Sequence, residues 1–77
     1  MLDSIIVGRV IQRIRENKHK SQEVVSGLAG IGRTHLSAIE RGERKPTLET
    51  LFRIADALEI KPSEIVTAIE NEITRTR

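Results

Sequence analysis

Apolar residues recur every three or four positions through most of this chain, the spacing that places side chains on one face of an α-helix. The first such run predicts an amphipathic helix from about Ser4 to Lys18, with Ser4 as its N-cap. A polar stretch, Asn17 to Lys20, then breaks the period. The residues expected to face inward from this helix are Ile6, Val7, Val10, Ile11 and Ile14.

A second, shorter helix is predicted next. Ser21 is placed to cap its start, and the helix should end near Gly30. Val25 and Ala29 are expected to face inward, and Ile31 should fill the turn that follows.

A third helix is predicted from Arg33 to about Arg41, with Gly32 at its N-cap. Its only large apolar residues, Leu36 and Ile39, lie on one side. A helix with so narrow an apolar stripe is held by its neighbours and is free to present its other face to a partner. The residues expected on that outward face are Arg33, Thr34, Ser37, Ala38 and Arg41.

Gly42 is placed to end the third helix in the left-handed region, and a charged loop, Glu43 to Pro46, follows it. Thr47 should cap a fourth helix that runs through about Leu58. The residues expected to face inward from the fourth helix are Leu48, Leu51, Ile54, Ala55 and Leu58.

Pro62 predicts the start of a fifth helix, from about 61 to 73, and residues 75–77 are expected to be frayed. This helix carries more aliphatic surface than one small core needs, which favours a two-fold interface between copies; the alternative is that all of these residues are core. The proposed interface residues are Val66, Ile69, Ile73 and Phe52. Without a repeat or linker, residues 1–77 should form a single all-α domain of five helices.

Composition narrows the possible chemistry. The chain has 77 residues, 38% of them hydrophobic, and no cysteine, so no disulfide or thiolate metal site is possible. His19 and His35 have no partners at metal-ligand spacing, and no glycine-rich phosphate loop follows a strand. We therefore expect no catalytic residues, metal or cofactor. No apolar run is long enough to span a membrane and no leader is evident, so a cytoplasmic protein is expected.

Charge is distributed unevenly along the sequence. Residues 9–45 contain nine basic and four acidic side chains, whereas residues 46–77 contain four basic and six acidic ones. A basic front half beside a mildly acidic back half orients a domain in the field of a polyanion. The asymmetry favours a nucleic acid as partner, although ordinary solvated charge is the simpler alternative.

Glycine, apolar and capping residues stand in a fixed order between Val7 and Ile65. They are Val7-Gly8, Ile11, Ile14-Arg15, Ser21-Gln22-Glu23, Val25, Ala29-Gly30-Ile31, Leu36-Ser37, Ile39-Glu40, Gly42, Arg44, Pro46-Thr47-Leu48, Leu51, Ile54-Ala55, Ala57-Leu58, Pro62 and Ile65. This set resembles the Cro and lambda-repressor-like helix-turn-helix family, also called the XRE family, with the motif at about 21–41. Within that family, the run from Arg33 to Arg41 is most similar to the controller proteins of restriction–modification systems.

Three positions depart from the family pattern. Lys20 stands where an apolar residue is usual, so its stem should pack while its ammonium reaches water. Ser26 replaces a usual alanine, and Gly27 should weaken the second helix by about 1 kcal/mol relative to alanine. These departures are expected to affect stability and not the DNA-reading surface.

The resemblance implies that the third helix, 33–41, lies in the major groove of double-stranded DNA. By position in the motif, the implied base contacts are Arg33, Thr34, Ser37 and Ala38, and the implied phosphate contacts are Gln22, Arg41, Arg44 and Lys45. Each of these side chains has the simpler alternative of plain solvent exposure. The resemblance also implies a structural ion pair between Arg15 and Glu40 that ties the first helix to the end of the third.

The leading functional hypothesis is a sequence-specific transcriptional regulator, acting as a homodimer on an inverted-repeat operator. The first alternative is an antitoxin-like DNA-binding protein that also binds a toxin partner. The second is a helical interaction domain that has lost DNA binding. An enzyme is not expected.

Overall fold

The computed structural model describes residues 2–76, and these form five α-helices with no strand among them. The helices are α1 (Ser4–Asn17), α2 (Gln22–Ala29), α3 (Arg33–Glu40), α4 (Leu48–Ala57) and α5 (Pro62–Thr76). The predicted all-α, five-helix architecture is therefore confirmed. None of these helices is both long and apolar enough to cross a membrane.

Local capping chemistry sets most of the helix ends. The hydroxyls of Ser21 and Thr47 accept hydrogen bonds from the backbone of α2 and α4, as predicted, and Gly32 is the N-cap of α3. Gly30 and Gly42 have φ angles of 70° and 79°, in the left-handed region that glycine adopts without a steric penalty. The helix-turn-helix boundaries could thus be derived from the sequence to within a residue or two.

The N-cap predicted for α1 is wrong by one residue. Asp3 is the cap, and its carboxylate accepts a hydrogen bond from the backbone N–H of Ile5 at 2.8 Å. Ser4 is the first helical residue, and its hydroxyl donates to the carbonyl oxygen of Gly42 at 2.8 Å. Aspartate and serine both cap helices well. The hydroxyl of Ser4 is bonded to the loop after α3 and so does not cap α1.

The end of α5 also differs from the prediction. The helix continues through Arg75 to Thr76 instead of fraying after residue 73, whereas Arg77 lies outside the described residues. Glu72 accepts hydrogen bonds from Arg75 and from Arg13 of α1, which together lower the pKa of its carboxyl group. These contacts hold the last turns of α5 together.

The core lies where all five helices meet. Helix α1 packs against α3 and α5, α2 packs against α3 and α4, and α4 packs against α5. Leu36 and Ile39 are fully buried, as predicted, and anchor α3 to this core. The largest other fully buried side chains are Ile11, Ile54, Leu58, Ile65, Val10 and Val25.

Leu48 was expected to face inward but is 70% exposed. It is the first residue of α4, so it precedes the part of the helix that packs on α2 and α5. The Lys20 side chain is half-buried and its ammonium reaches the surface, where it donates to the carbonyl oxygen of Ala57 and to the exposed Glu59, each at 3.2 Å. A cation at the C-terminal end of α4 is favourable because the helix dipole is negative there.

Candidate nucleic-acid interface

The outward face of α3 carries most of the predicted base contacts. Arg33 and Thr34 are exposed, and Ser37 is half-buried. Together with Gln22 and Arg41 they line one open polar depression. Because Leu36 and Ile39 fasten the opposite side of α3 in the core, this face is held outward on a rigid element.

Ala38 does not belong to that face, and its predicted outward orientation is wrong. Its side chain is only 8% exposed. The backbone N–H of Glu43 donates to the carbonyl oxygen of Ala38 at 2.9 Å, a bond that closes the C-terminal turn of α3. A methyl group so covered cannot make the broad contact with a thymine methyl that the prediction required.

Arg41 lies at the end of α3 and is held by Glu43. Its guanidinium donates from Nε to Oε2 at 2.8 Å and from a terminal nitrogen to Oε1 at 3.1 Å, and it also donates to the hydroxyl of Ser37. The hydrogen bonds from Arg41 lower the pKa of Glu43, so the pair is ionised at neutral pH. Sequence reasoning missed Glu43, although its position two residues after Arg41 placed it within reach. A phosphate must therefore compete with this carboxylate for Arg41.

Three other cations on this side of the molecule keep their charge uncompensated. Within residues 2–76, Arg33, Arg44 and Lys45 are exposed and form no ion pair. Most of the other basic side chains do pair with a glutamate: Arg13, Lys20, Arg53 and Arg75. Of the six basic side chains without an ion pair in residues 2–76, three thus lie on α3 and the loop that follows it; the others are Arg9, Lys18 and Lys61. This local positive charge suits a polyanionic ligand.

Gln22, for which a phosphate contact is predicted, is the first residue of α2. Its side-chain amide donates one hydrogen bond to Oε1 of Glu40 at 2.9 Å. An amide carries two N–H donors, so the second remains for a phosphate oxygen. The bond to Glu40 also fixes the orientation of the side chain beside Arg33 and Arg41.

Beneath this surface lies the ion pair between Arg15 and Glu40. The guanidinium donates to the two carboxylate oxygens at 2.7 and 3.0 Å, and the side chains are only 10% and 2% exposed. Arg15 also donates to the carbonyl oxygen of Lys20 at 2.7 Å. The hydrogen bond to Glu40 raises the pKa of Arg15. The pair joins α1 to the last residue of α3 and so helps to set the angle of that helix.

A second surface, on α4 and α5, is apolar. We call it the α4–α5 apolar surface; its exposed members are Leu48, Phe52 and Val66, and the half-buried Ile73 borders it. Ile69, which was predicted to join an interface, is only 7% exposed and belongs to the core, one turn after the fully buried Ile65. The sequence period therefore assigned Ile69 to the wrong side of α5, whereas Leu48 is exposed because it lies at the first residue of α4.

Among residues 2–76, no group of three or more histidine or acidic side chains is placed to hold a metal ion.

Comparisons with known proteins agree with this geometry. A family model described as helix-turn-helix matches residues 11–65. The HTH-type transcriptional regulator y4dJ of Sinorhizobium fredii is 38% identical over 72 residues, which are 94% of each protein. Control protein C.SmaI of Serratia marcescens is 32% identical over 69 residues, covering 87% of this chain and 82% of that protein.

Among solved structures, the restriction–modification controller protein C.AhdI from Aeromonas hydrophila superposes with a TM-score of 0.80 at 32% sequence identity. The match covers 84% of this chain and 98% of that one. The resemblance drawn from the residues between Val7 and Ile65 is confirmed. This chain belongs to the XRE-type helix-turn-helix family of transcriptional regulators.

Proposed function

We propose that this protein is a controller-type regulator that binds an inverted-repeat DNA operator as a homodimer, with α3 in the major groove. The observation that carries the proposal is the division of α3 into two faces. Leu36 and Ile39 are sealed in the core, while Arg33, Thr34 and Ser37 face outward beside uncompensated cations. The similarity to proteins named as control proteins supports the same function.

Within this proposal, Arg33 reads a base. Its guanidinium is exposed at the first residue of α3, where the motif places side chains against base edges, and it is free to bond O6 and N7 of guanine together. Thr34 and Ser37 supply hydroxyl groups on the same face. Ser37 accepts a hydrogen bond from Arg41, so its own proton remains to be donated to a base or a phosphate.

Phosphate contacts hold the helix in the groove. Arg44 and Lys45 offer full positive charges, whereas Arg41 must share its charge with Glu43. Gln22 adds a neutral amide donor at the N-terminus of α2. These contacts supply affinity and salt dependence without reading sequence.

The α4–α5 apolar surface supports the proposed dimer. Leu48, Phe52 and Val66 are 70%, 53% and 43% exposed, a cluster of large apolar side chains that a second copy would cover. One such module buries little surface on DNA, while a two-fold pair places two reading helices about 34 Å apart on successive major grooves. The protein would act in the cytoplasm, on a promoter of its host.

The removal of Arg33 tests base reading. Arg33→Ala should cost about 1–3 kcal/mol of discrimination, roughly a 5- to 150-fold loss of preference for the operator over unrelated duplex. The operator is first selected from a random pool of labelled duplexes with the wild-type protein. Lys61→Ala is the matched control, since Lys61 is exposed and lies beyond the C-terminal end of α4, about 15 Å of helix away from the basic loop.

Two results would refute the proposal: the absence of any shared motif among selected duplexes, or an Arg33→Ala protein that discriminates as well as the wild type.

A charge in the α4–α5 apolar surface tests the dimer. Val66→Asp should shift the protein from dimer to monomer in sedimentation velocity at micromolar concentration and weaken operator binding at least tenfold, because a buried unpaired carboxylate opposes the contact. The fold should persist because Val66 is 43% exposed in the monomer. Leu28→Asp, which changes a 64% exposed residue on α2, should leave the dimer intact. A wild type that sediments as a monomer both free and on DNA would contradict this assignment.

The antitoxin-like alternative stays a hypothesis, since the relatives described above are named as regulators and control proteins. Co-purification of a toxin from the native host would support it. No enzymatic activity is proposed.

A further inference from the structure

A second cleft, with a mixed polar and apolar lining, lies beside the depression on α3, between α1 and the adjoining ends of α2 and α3. The two concavities share Gln22 and Arg41, so they form one continuous surface. On the α1 side this cleft is lined by Arg9 and Gln12. The proposed phosphate contacts at Gln22 and Arg41 therefore have a neighbouring cation on a different helix.

The side chains that line the cleft carry two positive and two negative charges, and the buried Arg15, which is paired with Glu40, adds a third positive charge. Each of the two carboxylates is already bound by another side chain: Glu40 by Arg15 at 2.7 Å, and Glu43 by Arg41 at 2.8 Å. Arg9 is exposed and, within the described part of the chain, has no ion pair and no side-chain hydrogen bond. Its charge is left for a ligand from outside the molecule.

The backbone that carries Arg9 is also fixed relative to α3. Gly8, directly before it, is buried against the end of α3, where a Cβ atom on Gly8 would lie 2.2 Å from the carbonyl oxygen of Ile39. Helix α1 therefore cannot shift freely along α3. The backbone at position 9 thus keeps a constant place with respect to the reading helix.

From these observations we propose that Arg9 binds a further phosphate of the DNA backbone, next to the phosphate held by Gln22. The proposal rests on the function proposed above and extends the contact surface from the helix-turn-helix to α1. The ligand is a phosphodiester group and not a base, since Arg9 lies on α1 and not on the helix proposed to enter the groove, and a guanidinium bonds phosphate oxygens well. Arg9 would thus add affinity equally for every sequence.

Salt dependence provides the first test. Each phosphate contact contributes about 0.9 to the slope of log K against log salt concentration, so Arg9→Gln should make the slope shallower by about 0.9. That change corresponds to a loss of roughly eightfold in affinity at 0.1 M salt. The loss should be the same on the selected operator and on an unrelated duplex, in contrast to the loss caused by Arg33→Ala. Arg9→Lys should retain most of the slope.

Ethylation interference locates the contact. Ethylation of one phosphate beside the Gln22 contact should weaken binding of the wild type and should leave binding of Arg9→Gln unchanged. Lys61→Gln, which removes an exposed charge at the far end of α4, should alter neither the slope nor the interference pattern. The thermal unfolding midpoint of Arg9→Gln should equal that of the wild type, because the Arg9 side chain makes no ion pair or side-chain hydrogen bond within residues 2–76.

An Arg9→Gln protein with the wild-type slope and the wild-type interference pattern would overturn this inference, and so would a weaker protein whose slope is unchanged. In either case the proposed function would stand if Arg33→Ala still lost its preference for the operator. A wild type that showed no salt-dependent binding to any duplex would overturn both.

Discussion

Glu40→Ala should lower the free energy of unfolding by about 3–5 kcal/mol, the usual cost of leaving one member of a buried ion pair without its partner. The Glu40 side chain is 2% exposed and accepts two hydrogen bonds from Arg15, which is itself 10% exposed. The substitution would also remove the acceptor for the amide of Gln22. Urea denaturation followed by circular dichroism measures the loss.

The matched control is Glu49→Ala. Glu49 also binds an arginine, Arg53, at 2.8 Å, but the two side chains are 74% and 50% exposed. A surface pair of this kind is worth about 0.3–0.5 kcal/mol, so stability should barely change. A loss below about 1 kcal/mol for Glu40→Ala would show that Arg15 finds solvent or another partner.

A double substitution separates the cost of an unpaired buried charge from the cost of lost packing. Arg15→Met with Glu40→Leu removes both charges and keeps much of the volume, so it should be far less destabilising than Glu40→Ala, within about 1–2 kcal/mol of the wild type. Operator binding should nevertheless weaken, because Gln22 loses the acceptor that orients it beside Arg33. The double variant would then be nearly as stable as the wild type but would bind the operator more weakly.

Gly8→Ala should lower the free energy of unfolding by about 2–3 kcal/mol, since overpacking of a close contact typically costs this much. An added Cβ would lie 2.2 Å from the carbonyl oxygen of Ile39 and 2.7 Å from that of Glu40. Both neighbours are backbone atoms, so α1 and α3 must separate. Operator affinity should fall as well, because the same movement strains the bond between Arg15 and Glu40.

Gly27→Ala is the control for this prediction. Gly27 is an exposed residue within α2, and a Cβ there would meet no atom within 4 Å. Alanine should therefore stabilise the protein by about 0.5–1 kcal/mol through its higher helix propensity. If Gly8→Ala and Gly27→Ala had the same effect on the denaturation midpoint, the close approach of α1 to α3 would be refuted.

Local features of the fold followed from the sequence. Helix caps at Ser21 and Thr47 and the left-handed turn at Gly42 depend on residues within four positions of each other, and all three were predicted. The core anchors Leu36 and Ile39 followed from helical periodicity. The pairing of Arg15 with Glu40 came instead from the family resemblance, since periodicity within one helix does not relate residues on α1 and α3.

The errors share a different physical origin. Ala38 and Ile69 were expected on exposed faces and are buried, whereas Leu48 was expected to face inward and is exposed. A helical period specifies which residues share a face, but the boundary of the buried stripe depends on what packs against it. Leu48 lies ahead of the packed part of α4, and Ile69 lies one turn after the fully buried Ile65.

The amino-acid sequence by itself determined the five helices, the turns between them and the family of the chain. Helix caps, helical periodicity and glycine turns could be predicted because each depends only on residues close together in sequence. Tertiary structure decided which basic side chains are free to bind DNA. Arg41 is held by Glu43, whereas Arg9 and Arg33 are not paired with any acid in residues 2–76. An arginine is free to bind DNA only if the nearby carboxylates are paired with other side chains. Which pairs form depends on how the helices pack in three dimensions.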